Sequence, residues 1–279
     1  MMKIKLSPRL STLTAAAVLA VRLATAATPA LAAPDDDGAR SWSADKPTIV
    51  LVHGAFAESS SWEGVVNRLL SQGYPVVAAA NPLRGVHSDA VYLASLLDSI
   101  PGPVVLVGHS YGGSVITNAA TGRSNVKALV YVSAFAPDSG ESAAMLNAMY
   151  PGSTLGAALL PPVQLPDGSS DLYVKPSEYR QSFAADVPPR SAELLAATQR
   201  PLAAAAFVEP SGAPAWRLIP SWFVYGTRDM AIPPALQPFM AERAHSRHTV
   251  AVEGASHAVM ASHPEPVTRV IVEAARAGS

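Results

Sequence analysis

Short Val-rich apolar runs recur between stretches of helical periodicity, and that alternation limits what this chain can fold into more than any other feature. The runs are Thr48–His53, Pro75–Ala79, Pro103–Gly108, Val126–Ser133, Ile219–Gly226 and Arg247–Val252. They are mostly continuous rather than alternately apolar and polar, as strands covered on both faces should be. Between the first two, Ser60 and Glu63 have capping-box spacing, and Trp62, Val65, Val66, Leu69 and Leu70 fall at i, i+3, i+4, i+7 and i+8. Gly73 stands where that helix should stop. Leu93, Leu96, Leu97 and Ile100 repeat the spacing, as do Val267, Val270, Ile271 and Ala274. Alternation of this kind predicts an α/β domain with a parallel sheet and helices on both faces. There is no internal repeat.

The alternation breaks between about Pro137 and Arg217. Ten prolines from Pro151 to Pro214 forbid long regular elements there. Short helices are expected around Glu141–Met149, Ser177–Ala184 and Ser191–Gln199. An insertion of roughly 80 residues with no strand of its own is too long for an ordinary loop. It is expected to be a cap over a pocket.

The first 32 residues read as a leader. Lys3, Lys5 and Arg9 form a basic start, Leu10 to Val21 is an apolar run, and Ala30-Leu31-Ala32 offers small residues for a signal peptidase. The run is too short to span a bilayer, which needs about 20 residues. The chain has no Cys, so a lipoprotein anchor is excluded, together with disulfides, thiolate zinc sites and a cysteine nucleophile. Loss of residues 1–32 removes four basic and no acidic residues, taking the formal charge from −1 to −5. The expectation is a secreted protein, extracellular or periplasmic, with no stable membrane anchor. Nothing in its charge suggests a nucleic-acid partner.

The chemistry centres on P-V-V-L-V-G-H-S-Y-G-G at 103–113. An apolar strand runs into Gly108-His109-Ser110-Tyr111-Gly112 and a helix follows over Ser114–Ala120. This is the G-x-S-x-G nucleophile elbow in the context it needs. Ser110 is the candidate nucleophile, raised at a helix N-terminus where the dipole favours developing negative charge.

A serine needs a base, itself oriented by an acid. Of seven His, His257 lies in the loop after the last apolar run and is the candidate base, with His263 in reserve. His53 is expected to brace its loop and His109 to pack behind the elbow; His87, His245 and His248 lie in polar surroundings. Asp229 follows the run ending at Gly226 and is the candidate acid, with Asp138 as its rival. The order Ser110, Asp229, His257 is the one expected for this elbow. Backbone N–H groups of Tyr111 and Ala55 are the candidate oxyanion donors, with Phe56 as reserve. No His/Asp/Glu cluster has ligand spacing, so no metal or other cofactor is expected.

L-V-H-G-A-F followed by W-E, then V-G-H-S-Y-G-G, Y-G-T-R-D-M-A-I-P-P and G-A-S-H-A-V-M, resembles the α/β-hydrolase superfamily. The similarity runs from about Lys46 to Ala274, all but the cap, and is greatest to compact bacterial esterases related to plant methylesterases and hydroxynitrile lyases. It implies Ser110 as nucleophile, His257 as base, Asp229 as acid, and Ala55 and Tyr111 as oxyanion donors, in agreement with the residue-level reading. Without strands before Thr48, about six parallel strands are expected rather than eight. Residues 1–32 are then a leader, 33–46 a linker, and 47–279 an α/β-hydrolase domain whose helical cap spans about 138–217. A serine at the elbow argues against the dehalogenase and epoxide-hydrolase branches, which carry Asp there.

The leading expectation is a carboxylic-ester hydrolase working on a small-molecule ester through an acyl-enzyme. The same triad could serve lactone opening, C–C hydrolysis, lyase or perhydrolase chemistry, and a third reading is a non-catalytic ligand-binding protein. The sole Lys of the cap, Lys175, speaks against a lyase of the plant type. Phe56, Trp62, Tyr111 and Phe135 are candidate pocket walls beside the elbow. Met145, Met149, Leu155, Leu159 and Leu160 are candidates from the cap. None is charged, which predicts uncharged esters with apolar acyl or alcohol groups.

Overall fold

A computed structural model describes residues 46–278. The expected leader, and the linker up to residue 45, lie outside the described residues. Six strands form one parallel sheet: β1 (Thr48–Val52), β2 (Val76–Ala79), β3 (Val104–His109), β4 (Val126–Val132), β8 (Ser221–Gly226) and β9 (His248–Val252). Each falls on one of the predicted apolar runs; five are shortened by one or two residues, and β3 starts and ends one residue later than its run. Their order across the sheet is β2-β1-β3-β4-β8-β9.

The continuous apolar runs have a simple cause, since both faces of the sheet are covered. On one face Ile49, Leu51, Val105, Val107 and Val130 pack with Val65 and Leu69 of α1 (Glu63–Ser71) and with Val267, Val270 and Ile271 of the C-terminal helix (Pro264–Ala277). On the other, Val50, Val52, Leu106 and Leu129 pack with Leu93 and Leu97 of α2 (Val86–Ser99) and with Val115 and Ile116 of α3 (Tyr111–Ala119). Burying such a side chain contributes about 1.5–3 kcal/mol each. Gly73 follows the end of α1 at φ +76°, the left-handed conformation expected of a stop glycine.

The N-terminal signal of α1 was misassigned. Ser60 does not cap the helix; a 3-10 turn at Ser59–Trp62 precedes α1, and the Ser60 hydroxyl donates to Glu58 Oε1 at 2.5 Å.

The region between β4 and β8 holds α4 (Ala143–Asn147), α5 (Leu155–Ala158), α6 (Pro176–Phe183), α7 (Pro189–Ala197) and α8 (Ala204–Val208). Three of these match the expected short helices. The expectation of no strands was wrong: β5 (Val163–Gln164), β6 (Ser170–Leu172) and β7 (Leu202–Ala203) form a small antiparallel sheet. Strands of two or three residues are too short to carry a readable period. The last helices are α9 (Leu236–Arg243), α10 (Val259–Ser262) and α11 (Pro264–Ala277). Among the described residues no helix is long and apolar enough to cross a membrane.

The connections position the site. From β1 the chain turns outward to β2, then crosses back to β3 on the opposite side of β1. The carboxyl ends of β1 and β3 are therefore neighbours whose chains leave in opposite directions, where open α/β sheets bind ligands.

Candidate active site

Ser110 follows the last residue of β3 and precedes the first of α3, with φ 54° and ψ −126°. A non-glycine residue in the left-handed region costs about 1–3 kcal/mol and persists only where its surroundings hold it. Here they do. Ser110 N–H donates to Val132 and Ser133 oxygens at the end of β4, and its carbonyl accepts from Gly113 and Phe135 N–H groups. The flanking glycines are a steric requirement. A Cβ on Gly108 would stand 2.6 Å from Gly112 O, and one on Gly112 would stand 2.6 Å from Val52 O.

Asp229 and His257 are fully buried, and His257 Nδ1 lies 2.8 Å from Asp229 Oδ2. Their loops are fastened to each other before the side chains meet. Thr227 N–H donates to Val252 O and Arg228 N–H to Ala255 O, and a Cβ on Gly226 would lie 2.3 Å from Ala255 O. The other carboxylate oxygen of Asp229 accepts the Ala231 and Ile232 N–H groups at 2.8 and 2.9 Å. These charge-assisted bonds fix the carboxylate so that Oδ2 faces the imidazole. His257 Nε2 is buried and unpartnered.

His257 reaches the elbow through His109, the residue before Ser110. The two rings are 4.7 Å apart, and His109 Nε2 lies 3.2 Å from His257 O. Burial, and then the neighbouring His257, push the His109 pKa far below its usual value. His53 braces the loop after β1 as expected, with Nδ1 on Gly54 O and Nε2 accepting Asn81 N–H; burial lowers its pKa to about 4. His109 is thus neutral at pH 7 and puts no positive charge beside His257.

The reserve assignments do not come together with Ser110. Asp138 is ion-paired with Arg217 at 2.7 Å at the start of the cap, and His263 faces Asp186 at 3.1 Å. The Phe56 N–H is occupied by Arg200 O at 3.0 Å, whereas the N–H groups of Ala55 and Tyr111 find no acceptor among the described residues. Gly54 permits the approach of this loop, since a Cβ there would lie 2.5 Å from Ser110 Cβ. Phe56 itself has φ 59°, a second strained residue at the site.

A narrow pocket with about 360 Å³ of empty space, little of it wide enough for a water molecule, opens beside Ser110. Phe56, Tyr111, Phe135 and Leu155 line it, along with Ala55. Five expected wall residues do not. Trp62 belongs to the core on the α1 side of the sheet, its ring 6.3 Å from His109, while Met145 and Met149 are 58% and 49% exposed. Leu159 and Leu160 are also outside the lining. The sequence reading missed Asn147, Leu202, Phe207, Ala231 and Ile232. Ala231 and Ile232 were legible in principle, because N–H groups two and three residues after an Asp form an Asx turn. Leu202 and Phe207 carried no signal.

Comparison with known proteins agrees with this architecture. A family model described as the alpha/beta hydrolase family matches residues 49–270. The alpha/beta hydrolase nvfD of Aspergillus novofumigatus is 27% identical over 249 residues, covering 82% of this chain and 97% of the relative. The pyrethroid hydrolase of Sphingobium wenxiniae is 27% identical over 248 residues, covering 82% and 88%. The crystal structure of polyneuridine aldehyde esterase is similar with a TM-score of 0.71 at 20% identity, covering 82% of this chain and 98% of that one, a likeness of fold.

Proposed function

The chain belongs to the alpha/beta hydrolase family, and on that premise we propose that it cleaves carboxylic esters of small to medium, uncharged, largely apolar substrates through an acyl-enzyme on Ser110. The observation that carries the reading is the buried Asp229–His257 pair, whose Nε2 is unpartnered and whose ring packs against His109, the residue before Ser110.

In this mechanism His257 Nε2 takes the Ser110 hydroxyl proton as Oγ attacks the ester carbonyl carbon. Negative charge gathers on the carbonyl oxygen, where the Ala55 and Tyr111 N–H groups receive it; such a donor contributes on the order of 3 kcal/mol to the transition state. The C–O bond to the alcohol breaks as His257 returns the proton to the leaving oxygen. Water, deprotonated by the same nitrogen, then releases the acid and restores Ser110. Asp229 Oδ2 accepts the Nδ1 proton throughout, which keeps the lone pair on Nε2. The mostly apolar pocket supports uncharged substrates, because an ionic group would have to leave water to enter it. Export from the cytoplasm is part of the proposal and is supported by the leader pattern of residues 1–32.

The test is covalent labelling. An organophosphonate should modify Ser110 stoichiometrically, and Ser110→Ala should lower turnover of a chromogenic ester by up to about a millionfold. Labelling at another serine, or turnover that survives the substitution, would overturn the assignment.

A further inference from the structure

The geometry points to Asn147 as a specificity-determining residue that selects esters bearing a hydroxyl group on the part reaching the cap. This rests on the ester-hydrolase reading above and adds a substrate class to it.

Three residues of the pocket lining carry polar side chains: Ser110, Tyr111 and Asn147. Ser110 is taken by the chemistry. The Tyr111 hydroxyl is also committed. It donates to Asp89 Oδ2 at 2.9 Å, and Asp89 in turn accepts the Arg84 N–H. Burial, reinforced by Asp89, keeps that phenol protonated by raising its pKa. Asn147 remains. Its Oδ1 is buried and has no hydrogen-bond partner.

A structural asparagine in the same fold looks different. Asn118 donates to Ser114 O and Ser211 Oγ and accepts Gly212 N–H, tying α3 to the cap. Asn147 ties nothing. Leaving a buried amide oxygen unpaired is costly; Asn81 Oδ1 is unpaired too, but its Nδ2 is anchored on His53 O, whereas Asn147 lies at the pocket, where a ligand can supply the missing partner.

The partner's chemistry follows from the surroundings. Oδ1 calls for a donor, and the apolar lining excludes a charged ammonium, which would be desolvated without a counter-ion. A hydroxyl is neutral and small. It can also accept from Nδ2 of the same amide, so it meets the side chain in either orientation of the carboxamide.

Two matched series test this, one with the hydroxyl on the acyl chain and one with it on the alcohol, each against the plain ester of equal length. For the best-placed hydroxyl in one series, kcat/KM of the wild type should exceed that of the plain ester about tenfold, the worth of one hydrogen bond. In Asn147→Leu that ratio should fall to one or below, while Asn147→Gln should keep it above one. A ratio of one throughout both series, or an unaltered ratio in Asn147→Leu, overturns the inference. Thermal unfolding midpoints of both variants confirm that the fold is intact.

Calorimetric binding of the corresponding amides to Ser110→Ala separates this inference from its premise, since it needs no catalysis. A hydroxyl preference in binding, without turnover of any ester by the wild type, would refute the hydrolase reading and uphold Asn147. Turnover with flat ratios would do the reverse.

Discussion

The pocket has two halves built by different means. The sheet-edge half, with Ala55, Phe56, Ser110 and Tyr111, is held backbone against backbone. A Cβ on Gly113 would stand 2.2 Å from Phe135 O, and Gly54, Gly108 and Gly112 are almost as confined. The cap half, with Asn147, Leu155, Leu202 and Phe207, rests on short elements fastened mainly by side chains. Arg84 pairs with Asp171 at 2.7 Å, Glu209 accepts the N–H groups of Val86 and His87 at the start of α2, and Tyr179 Oη donates to Phe56 O at 2.7 Å. Three cap glycines, Gly140, Gly156 and Gly168, would meet nothing within 4 Å if they gained a Cβ. Reaction geometry tolerates errors of only a fraction of an ångström, and the proposed chemistry sits on the half packed backbone against backbone. In the proposed function, the cap half is where substrate selection has room to change.

The sharpest way to break this comparison is to disturb the rigid half without changing its shape. Asp229→Asn keeps the volume and leaves Oδ1 able to accept from Ala231 and Ile232, but favours the wrong imidazole tautomer. The expected outcome is a fall of about 10⁴ in kcat for a chromogenic ester with an unchanged unfolding midpoint. A near-silent substitution would mean that the orienting acid lies elsewhere. Next in size is Gly113→Ala, where the added methyl meets the backbone oxygen of Phe135. It should destabilise by about 3 kcal/mol or more, read by denaturant unfolding, because two backbones must part to admit it.

The same contrast explains what could be read from the sequence. The six strands were legible because a sheet buried on both faces demands continuous apolar runs, and β3 to α3 was legible because the elbow demands its glycines. The assignments that failed depended on which way a side chain faces on a short element. Met145 and Met149 looked like wall residues because they are apolar, yet they lie i and i+4 on one side of a five-residue helix and its following turn. Asn147, two residues from each, lies opposite them, and that is the side turned to the pocket. In a helix this short, hydropathy alone does not settle which face is inward. Trp62 failed for another reason: it ends a 3-10 turn rather than starting α1, and it points into the core beneath the elbow.

Acid should expose the difference between the halves again, with a smaller effect. His53 is neutral in the fold down to about pH 4, whereas in the unfolded chain it protonates near 6.5. Between those values the unfolded state binds the extra proton, so stability is full above about pH 6.5 and declines as the pH falls toward 4. For this group the loss is up to about 3 kcal/mol. His109, also depressed by burial, adds to it in the same direction. The cap from 138 to 217 contains no His at all, so the penalty falls on the sheet-edge half. Unfolding curves at pH 7 and 4.5 should separate widely for the wild type and less for His53→Gln. Equal separation would show that His53 is not the group taking up the proton.

The smallest expected effect comes from repeating the alanine substitution on the other side of the pocket. Gly156 lies exposed in α5, next to Leu155, with open space where its Cβ would be. Its φ is outside the positive range, so alanine fits the backbone without strain. Gly156→Ala removes freedom from the unfolded chain and nothing from the folded one. It should therefore stabilise by about 0.4–1 kcal/mol, a sign opposite to Gly113→Ala. Ester turnover should be unchanged, since Gly156 is exposed and is not part of the lining. The measurement is a pair of denaturant midpoints with kcat/KM for one plain ester. Destabilisation by Gly156→Ala, or a marked change in turnover, would mean that the cap is as tightly fitted as the elbow, and the division between a fixed and an adjustable half would fall.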